Sequence, residues 1–599
     1  MKTKLYASLA AVLCLLLLCA VCGPVCAAVD VGSDAKAFMA SIAGENREIT
    51  GAYDKACAVQ CSNGTFVAKP TADVLSFKGI PFAAQPVGSL RWKAPQPASN
   101  SSKVFEAYYF GHSPIQSIWP SERASYYPQG EDCLNLNIWV NRTNSSAKKP
   151  VMVFIHGGSF GWGGTADPLY DATALCQKFP DVVFVTVGYR TGLWGFMDFS
   201  AVPGGDAYPD SGNLGLLDQV CALEWIRDNI AGFGGNPDNV TIWGESAGGA
   251  SVSLLPLIKS AKGLFRRVIS ESGAVNQTSS KEECLNLTRM LLDCSGCTTM
   301  AELAAVDTAQ LQTWNDKLND YNNFPERDGR ILPMDPYAAY ENGEAADVAF
   351  LLGTNKDECR YWMQEIGLMA PGLPAKMLYS VCGRVLFENE QRLFSTQEKE
   401  NLQAFLAMQQ DKKLWNLTEY FNENTFRLPA IRQAQANADH GGTVFLYYWT
   451  DPSSIPDFGA CHAVELSAVF CNLDDTIYTG KPTDSRFADA VQQMWVQFAR
   501  TGDPSTPDHV WEPYHTDTRK TMVLDRSGIE LQSDPMPEQR QLLMPLTDYY
   551  LHGSYMTMSL NTPTVWRLAL CGGMSLLLLV LLVVLLVRGL KRCRAAKKN

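Results

Sequence analysis

The chain has 599 residues, of which 46% are hydrophobic and 19% charged, with a formal net charge of −12 and 18 cysteines. This composition excludes an intrinsically disordered chain, which needs fewer apolar residues and a stronger charge bias. An acidic balance with seven histidines also argues against nucleic acid as a partner, because binding phosphates needs a basic face.

The ends differ from the middle. Lys2 and Lys4 precede an apolar run from Leu9 to Val21, and Val25-Cys26-Ala27 offers small residues for cleavage, so residues 1–27 read as a secretory signal peptide, with an N-terminal membrane anchor as the alternative. At the far end, Leu568 to Val587 is uncharged for 20 residues, long enough for a transmembrane helix. Six cations follow it: Arg588, Lys591, Arg592, Arg594, Lys597 and Lys598. Under the positive-inside rule this tail, 588–599, stays cytosolic, and the body of the protein lies extracellularly or in a secretory lumen. A lipid-exchanged C-terminal signal is the runner-up, but such signals end in their apolar tail. The result is a single-pass type I membrane protein whose external part, freed of the signal and tail cations, carries 42 basic against 62 acidic groups. Four cysteines leave with the signal, one lies in the span and one in the tail, so twelve remain in an oxidising space where disulfides form. Eight sequons, at Asn63, Asn100, Asn141, Asn144, Asn239, Asn276, Asn286 and Asn416, agree with a glycoprotein.

Residues 28–545 contain no repeat, low-complexity linker or charge block, and read as one domain; 546–567 form a stalk. Short apolar runs at 151–155, 182–187, 240–243, 348–352 and 444–448 read as buried parallel strands. Between them Leu214, Leu217, Val220, Leu223 and Ile226 recur at helical spacing, and Gly234-Gly235 closes that region. This alternation predicts a doubly wound α/β fold with its chemistry at the carboxyl ends of the strands.

Gly244-Glu245-Ser246-Ala247-Gly248 follows one predicted strand and precedes a small-residue stretch, Ala250 to Ile258, that can be helical. This is the strand, turn and helix context of a G-x-S-x-G nucleophile elbow. After the strand at 151–155, His156-Gly157-Gly158-Ser159-Phe160 is an HGGG-type loop, whose backbone N–H groups, with that of Ala247, can meet an ester oxyanion. A serine nucleophile needs a base and an orienting acid, which follow it in the order acid, then histidine. Glu358 follows the strand at 348–352. Of the later histidines, His440 precedes a strand and His552 lies in the stalk, so position favours His462, with His509 and His515 as weaker candidates.

At these residues the chain resembles the type-B carboxylesterase and cholinesterase family. The resemblance runs from Phe77-Lys78-Gly79-Ile80-Pro81-Phe82-Ala83 and Pro86 to Trp92, through Glu131-Asp132-Cys133-Leu134, Gly212 to Gln219 and Phe233 to Gly248, to Trp495, Phe498, Gly502, Pro504, Trp511 and Pro513. It implies an α/β-hydrolase with a large, mostly parallel sheet and helices on both faces, acting on small-molecule esters without metal or cofactor. It implies a Ser246, Glu358 and His462 triad, an oxyanion hole at Gly158, Ser159 and Ala247, and a polar network of Glu245, Ser272 and Glu465. A homodimer is expected by resemblance only. The same family contains neuroligins, adhesion receptors of similar topology that lack the serine, so a cell-surface binding role is the alternative reading.

Three departures stand out. Ser159 occupies the third glycine position of the oxyanion loop. The usual partner of Cys133 is missing from Phe110-Gly111-His112-Ser113-Pro114. Arg123 replaces the choline-binding tryptophan, and an arginine repels a quaternary ammonium instead of stacking on it, which argues against acetylcholine as the preferred substrate unless Trp119, Tyr126 or Tyr127 supplies the aromatic face. Cys359 adjoins the acid and Cys461 the histidine, so disulfides, Cys461 with Cys471 among them, are expected to brace the two loops.

Overall fold

Valine, isoleucine and aromatic residues fill the apolar runs, and they become the inner strands of a large sheet. The computed structural model describes residues 31–118, 122–143, 148–318, 323–362, 387, 390–409 and 416–550. The described strands of this sheet are β1 (Ala58–Cys61), β2 (Gly64–Thr71), β3 (Val74–Pro81), β4 (Val104–Ala107), β5 (Asn135–Asn141), β6 (Lys149–Ile155) and β7 (Val183–Val187). They continue with β8 (Gly235–Glu245), β9 (Arg267–Glu271), β10 (Ala349–Asn355), β11 (Val444–Trp449), β12 (Lys520–Asp525) and β13 (Gly528–Ser533). Their order is β1-β2-β3-β5-β7-β6-β8-β9-β10-β11-β12-β13, with β4 beside β2. From β7 to β12 in that order every pair is parallel. Antiparallel pairs carry the sheet outward on both sides.

Each inner strand feeds two cores. Along β6, Val151, Val153 and Ile155 enter one and Met152 and Phe154 the other; along β11, Val444 and Leu446 oppose Phe445 and Tyr447. A strand buried on both faces has no polar side, which is why these segments read as continuous apolar runs. Helix α1 (Leu214–Asn229) covers the first face with Leu216, Val220, Leu223 and Ile226. It passes into a 3₁₀ turn that ends at Gly234, whose φ of 82° needs no β-carbon. Helix α2 (Ala247–Leu254) and helix α3 (Leu428–Asp439) lie on the same side. Helix α4 (Ser485–Thr501) covers the second face with Phe487, Val491, Met494, Trp495 and Phe498. The Asp484 carboxylate accepts the N–H groups of Arg486 and Phe487, which fixes where α4 begins.

The signal segment, most of the stalk, the 568–587 span, the basic tail, Trp119 and the Asn144 sequon lie outside the described residues. Among the described residues no helix is long and apolar enough to cross a membrane. Residues 546–550 lie against the domain: Leu546 is buried, and the Tyr337 N–H donates to the Tyr550 hydroxyl oxygen.

Candidate active site

The parallel register delivers the carboxyl ends of β6, β8, β10 and β11 to one edge, and the residues of interest follow those ends. Strand β8 runs to Glu245 and α2 starts at Ala247, so one residue, Ser246, makes the whole turn. Its backbone sits at φ 58°, ψ −123°, a region that costs roughly 1–3 kcal/mol for a residue with a side chain. The turn is held by the Ser246 N–H donating to the Glu271 carbonyl at 2.9 Å. A β-carbon at Gly248 would stand 1.9 Å from the Ile155 carbonyl oxygen, so glycine is required there for α2 to approach β6.

Beyond β6, Gly158, Ser159 and Phe160 take φ values of 104°, 49° and 57° in succession. The left-handed backbone at Ser159 costs roughly 1–2 kcal/mol that a third glycine would avoid. The Gly158 carbonyl accepts the N–H groups of Gly161 and Trp162. The N–H groups of Gly158, Ser159 and Ala247 donate to no described residue, and that of Ala247 is an orphan donor of the first turn of α2. His156 anchors the loop: its Nδ1 bonds the Gly157 carbonyl at 2.8 Å, and its ring stacks on Tyr189 at 4.4 Å. Burial pushes the His156 imidazole down to about 4, so it is neutral at pH 7.

Glu358 begins a short turn after β10, and His462 lies in the loop after β11. His462 Nδ1 and Glu358 Oε2 are 2.6 Å apart. The other oxygen, Oε1, accepts the Ser272 hydroxyl at 2.6 Å and the Asn355 N–H at 2.7 Å. Trp362 and Phe426 pack on the imidazole with centroids 5.1 and 5.0 Å away. His462 Nε2 has no hydrogen-bond partner among the described residues; it lies 3.0 Å from Glu245 Oε1 without the alignment of a bond, and it shares a cleft with Ser246, Gly158 and Ser159. His509 and His515 do not line this cleft, and His440 instead bonds the Ala436 carbonyl at the end of α3. A larger hollow bounded by Phe66, Phe105 and Asp132 contains none of these groups.

The expected Cys461–Cys471 disulfide is not formed, and no two described cysteines are joined. Cys461 is buried beneath the loop, whereas Cys471 lies past the short helix Leu466–Val469 at φ 62°. Hydrogen bonds brace the two loops instead. The Asp357 N–H donates to the Ala460 carbonyl at 2.8 Å, and the Ala460 N–H donates to the Asp357 carboxylate at 3.0 Å. Asn355 Nδ2 reaches the Cys461 carbonyl at 3.0 Å and Glu465 Oε2 at 2.6 Å. Asn355 and Asp357 escaped the sequence reading, although both stand within three residues of Glu358. Cys133, missing its usual partner, is a buried thiol.

Several carboxyl groups lie behind the site. Burial first, then the charges of Glu358, Glu271 and Glu122, holds the Glu245 carboxyl well above the ordinary range. Burial and the charges of Glu245 and Glu271 do the same to Glu465. Glu271, also missed from sequence, is pushed up to about 8 by burial, while the Trp495 indole N–H, 2.6 Å from its Oε1, acts the other way. Burial therefore favours the protonated form of each of these acids. Arg123 does not present the free cation expected of it: Asp167 and Asp475 hold it at 2.6 and 2.7 Å. Tyr127 points elsewhere, donating its hydroxyl to the Phe110 carbonyl.

A serine on a one-residue turn, a histidine oriented by a carboxylate and the N–H groups of Gly158 and Ser159 at one cleft, with that of Ala247 next to the serine, can support acyl transfer. Residues 61–542 match the model of the carboxylesterase family. The para-nitrobenzyl esterase of Bacillus subtilis (strain 168) is 36% identical over 493 residues, covering 79% of this chain and 95% of its own. The acetylcholinesterase of Leptinotarsa decemlineata is 30% identical over 518 residues, covering 76% and 80%. A solved carboxylesterase of Geobacillus stearothermophilus superimposes with a TM-score of 0.72 at 31% identity, covering 81% of this chain and 99% of its own.

Proposed function

Because the chain belongs to the carboxylesterase family and is a serine carboxylesterase, we propose that Ser246, His462 and Glu358 form its catalytic triad and that the N–H groups of Gly158, Ser159 and Ala247 form its oxyanion hole. Ser246 Oγ attacks the ester carbonyl as His462 Nε2 takes its proton. The developing oxyanion is met by the three N–H groups, each worth roughly 3 kcal/mol to the transition state. Glu358 holds the proton-bearing Nδ1 and stabilises the imidazolium. His462 then gives the proton to the leaving alkoxide, and water releases the acid from the acyl-enzyme. The observation that carries this reading is the 2.6 Å bond between His462 Nδ1 and the buried Glu358 Oε2, with His462 lining the same cleft as Ser246. Hydrolysis of 4-nitrophenyl acetate tests it: Ser246→Ala should lose activity by several orders of magnitude, and activity equal to wild type would reject the triad.

In this reading a signal peptide (1–27) and a type I anchor (568–587) display the enzyme outside the cytosol. The support is the uncharged 20-residue run followed by six cations. Extraction of the full chain from membranes by alkaline carbonate would reject the anchor. The homodimer expected by resemblance is tested by sedimentation of the detergent-solubilised protein.

A further inference from the structure

The cleft wall carries a carboxyl group that this hydrolysis does not use. Glu122 lines the same cleft as Ser246 and His462, yet its carboxyl makes no hydrogen bond or ion pair with any described residue; only its backbone carbonyl is engaged, by Ser125. The neighbouring cation does not serve it, because Arg123 does not line the cleft and is shared between Asp167 and Asp475. With Asp167 and Asp475 neutralising Arg123, Glu122 is the one member of that group of four that faces the cleft. The surrounding wall is aromatic, with Trp162, Tyr170, Tyr361 and Tyr478. Desolvation, with Asp167 adding and Arg123 partly offsetting, pushes the Glu122 carboxyl up to about 8. An empty cleft thus stores this group as the neutral acid, and an entering cation would favour its carboxylate.

We infer that Glu122 is a specificity-determining residue that selects esters bearing a protonated amine, whose N–H donates to its carboxylate while the aromatic walls cover the adjoining carbons. The inference rests on the proposed triad, since it concerns the same cleft. It replaces the repulsion expected from Arg123 with attraction one residue earlier. A quaternary ammonium has no N–H to offer, so it gains the ring contacts alone.

The test compares two butanoate esters of matched shape at pH 7, 2-(dimethylamino)ethyl and 3-methylbutyl. The wild type should favour the protonated amine by about tenfold or more in kcat/KM, the scale of a hydrogen bond between charged partners, and Glu122→Gln should remove most of that ratio. No preference in the wild type, or an undiminished ratio in Glu122→Gln, would overturn the inference. Calorimetric binding of protonated 2-(dimethylamino)ethanol against 3-methylbutanol to the wild type decides the matter without turnover or the variant: about tenfold tighter binding of the amine supports it, and equal binding contradicts it. Inactivity of the wild type toward 4-nitrophenyl acetate would speak against the triad instead, and the binding comparison would still decide the role of Glu122.

Discussion

Replacing Glu358 by glutamine tests the site at its most constrained point. Both carboxylate oxygens accept: Oε2 from His462 Nδ1 at 2.6 Å, and Oε1 from the Ser272 hydroxyl and the Asn355 N–H at 2.6 and 2.7 Å. A glutamine must put its NH₂ group on one side. Toward Oε1 it meets the Asn355 N–H, a fixed donor that cannot turn away, and one buried donor is left unpaired at roughly 1–3 kcal/mol. Toward Oε2 it faces the imidazole and donates to Nδ1, which forces the ring proton onto Nε2 and removes the base that Ser246 needs. In that arrangement the remaining oxygen still accepts from Ser272 and Asn355, so the second arrangement is preferred. The expected outcome is a folded protein whose kcat on 4-nitrophenyl acetate falls by about 10⁴-fold, ~5.5 kcal/mol of barrier, with little change in KM. A fall of less than tenfold, with the urea midpoint unchanged, would refute the assignment of Glu358 as the group that fixes the tautomer.

The remaining predictions concern packing, pH and modification. Gly248→Ala should destabilise the domain by at least about 3 kcal/mol in urea unfolding, because its β-carbon would lie 1.9 Å from the Ile155 carbonyl; a midpoint like that of wild type would contradict the packing of α2 on β6. Glu271 has its folded pKa raised from 4.5 to about 8, so the stability it contributes as a neutral acid is full below about pH 4.5 and is lost as pH rises to about 8. Glu271→Gln keeps an oxygen for Trp495 and cannot ionise, so the wild-type urea midpoint should fall more steeply than the variant's over that window; parallel curves would refute the burial argument. When the chain passes through a secretory host, glycopeptide mapping should find glycans at the exposed Asn100 or Asn286 and none at Asn63, Asn141 or Asn276, whose buried amides donate to carbonyls; a glycan on any of these three would contradict their packing.

The inner strands and the serine turn were legible because their causes are local. A strand buried on both faces leaves an apolar run, and a one-residue turn between strand and helix leaves flanking glycines. Strand β2 left no comparable mark, since its Lys69, Pro70 and Thr71 are exposed and break any apolar run. Within the site, His462 could be chosen by position along the chain. Its bracing could not, because Asp357 and Ala460 are 103 residues apart and nothing near either residue announces the pairing. The adjacent cysteines offered a local signal and misled: the loops are tied by a carboxylate and an amide. Arg123 misled in the same way, for one of its two neutralising partners, Asp475, comes from a segment far along the chain. Residue type was readable there, while the direction of the charge depended on tertiary contacts.

The most direct test of the central claim is active-site titration of the purified protein with 4-nitrophenyl acetate, followed by mass mapping of the trapped acyl-enzyme. The account predicts a burst of about one equivalent of 4-nitrophenol per chain, an acetyl mass on the peptide containing Ser246, and neither signal in Ser246→Ala. An acyl group on any other residue, or a full burst from Ser246→Ala, would contradict it.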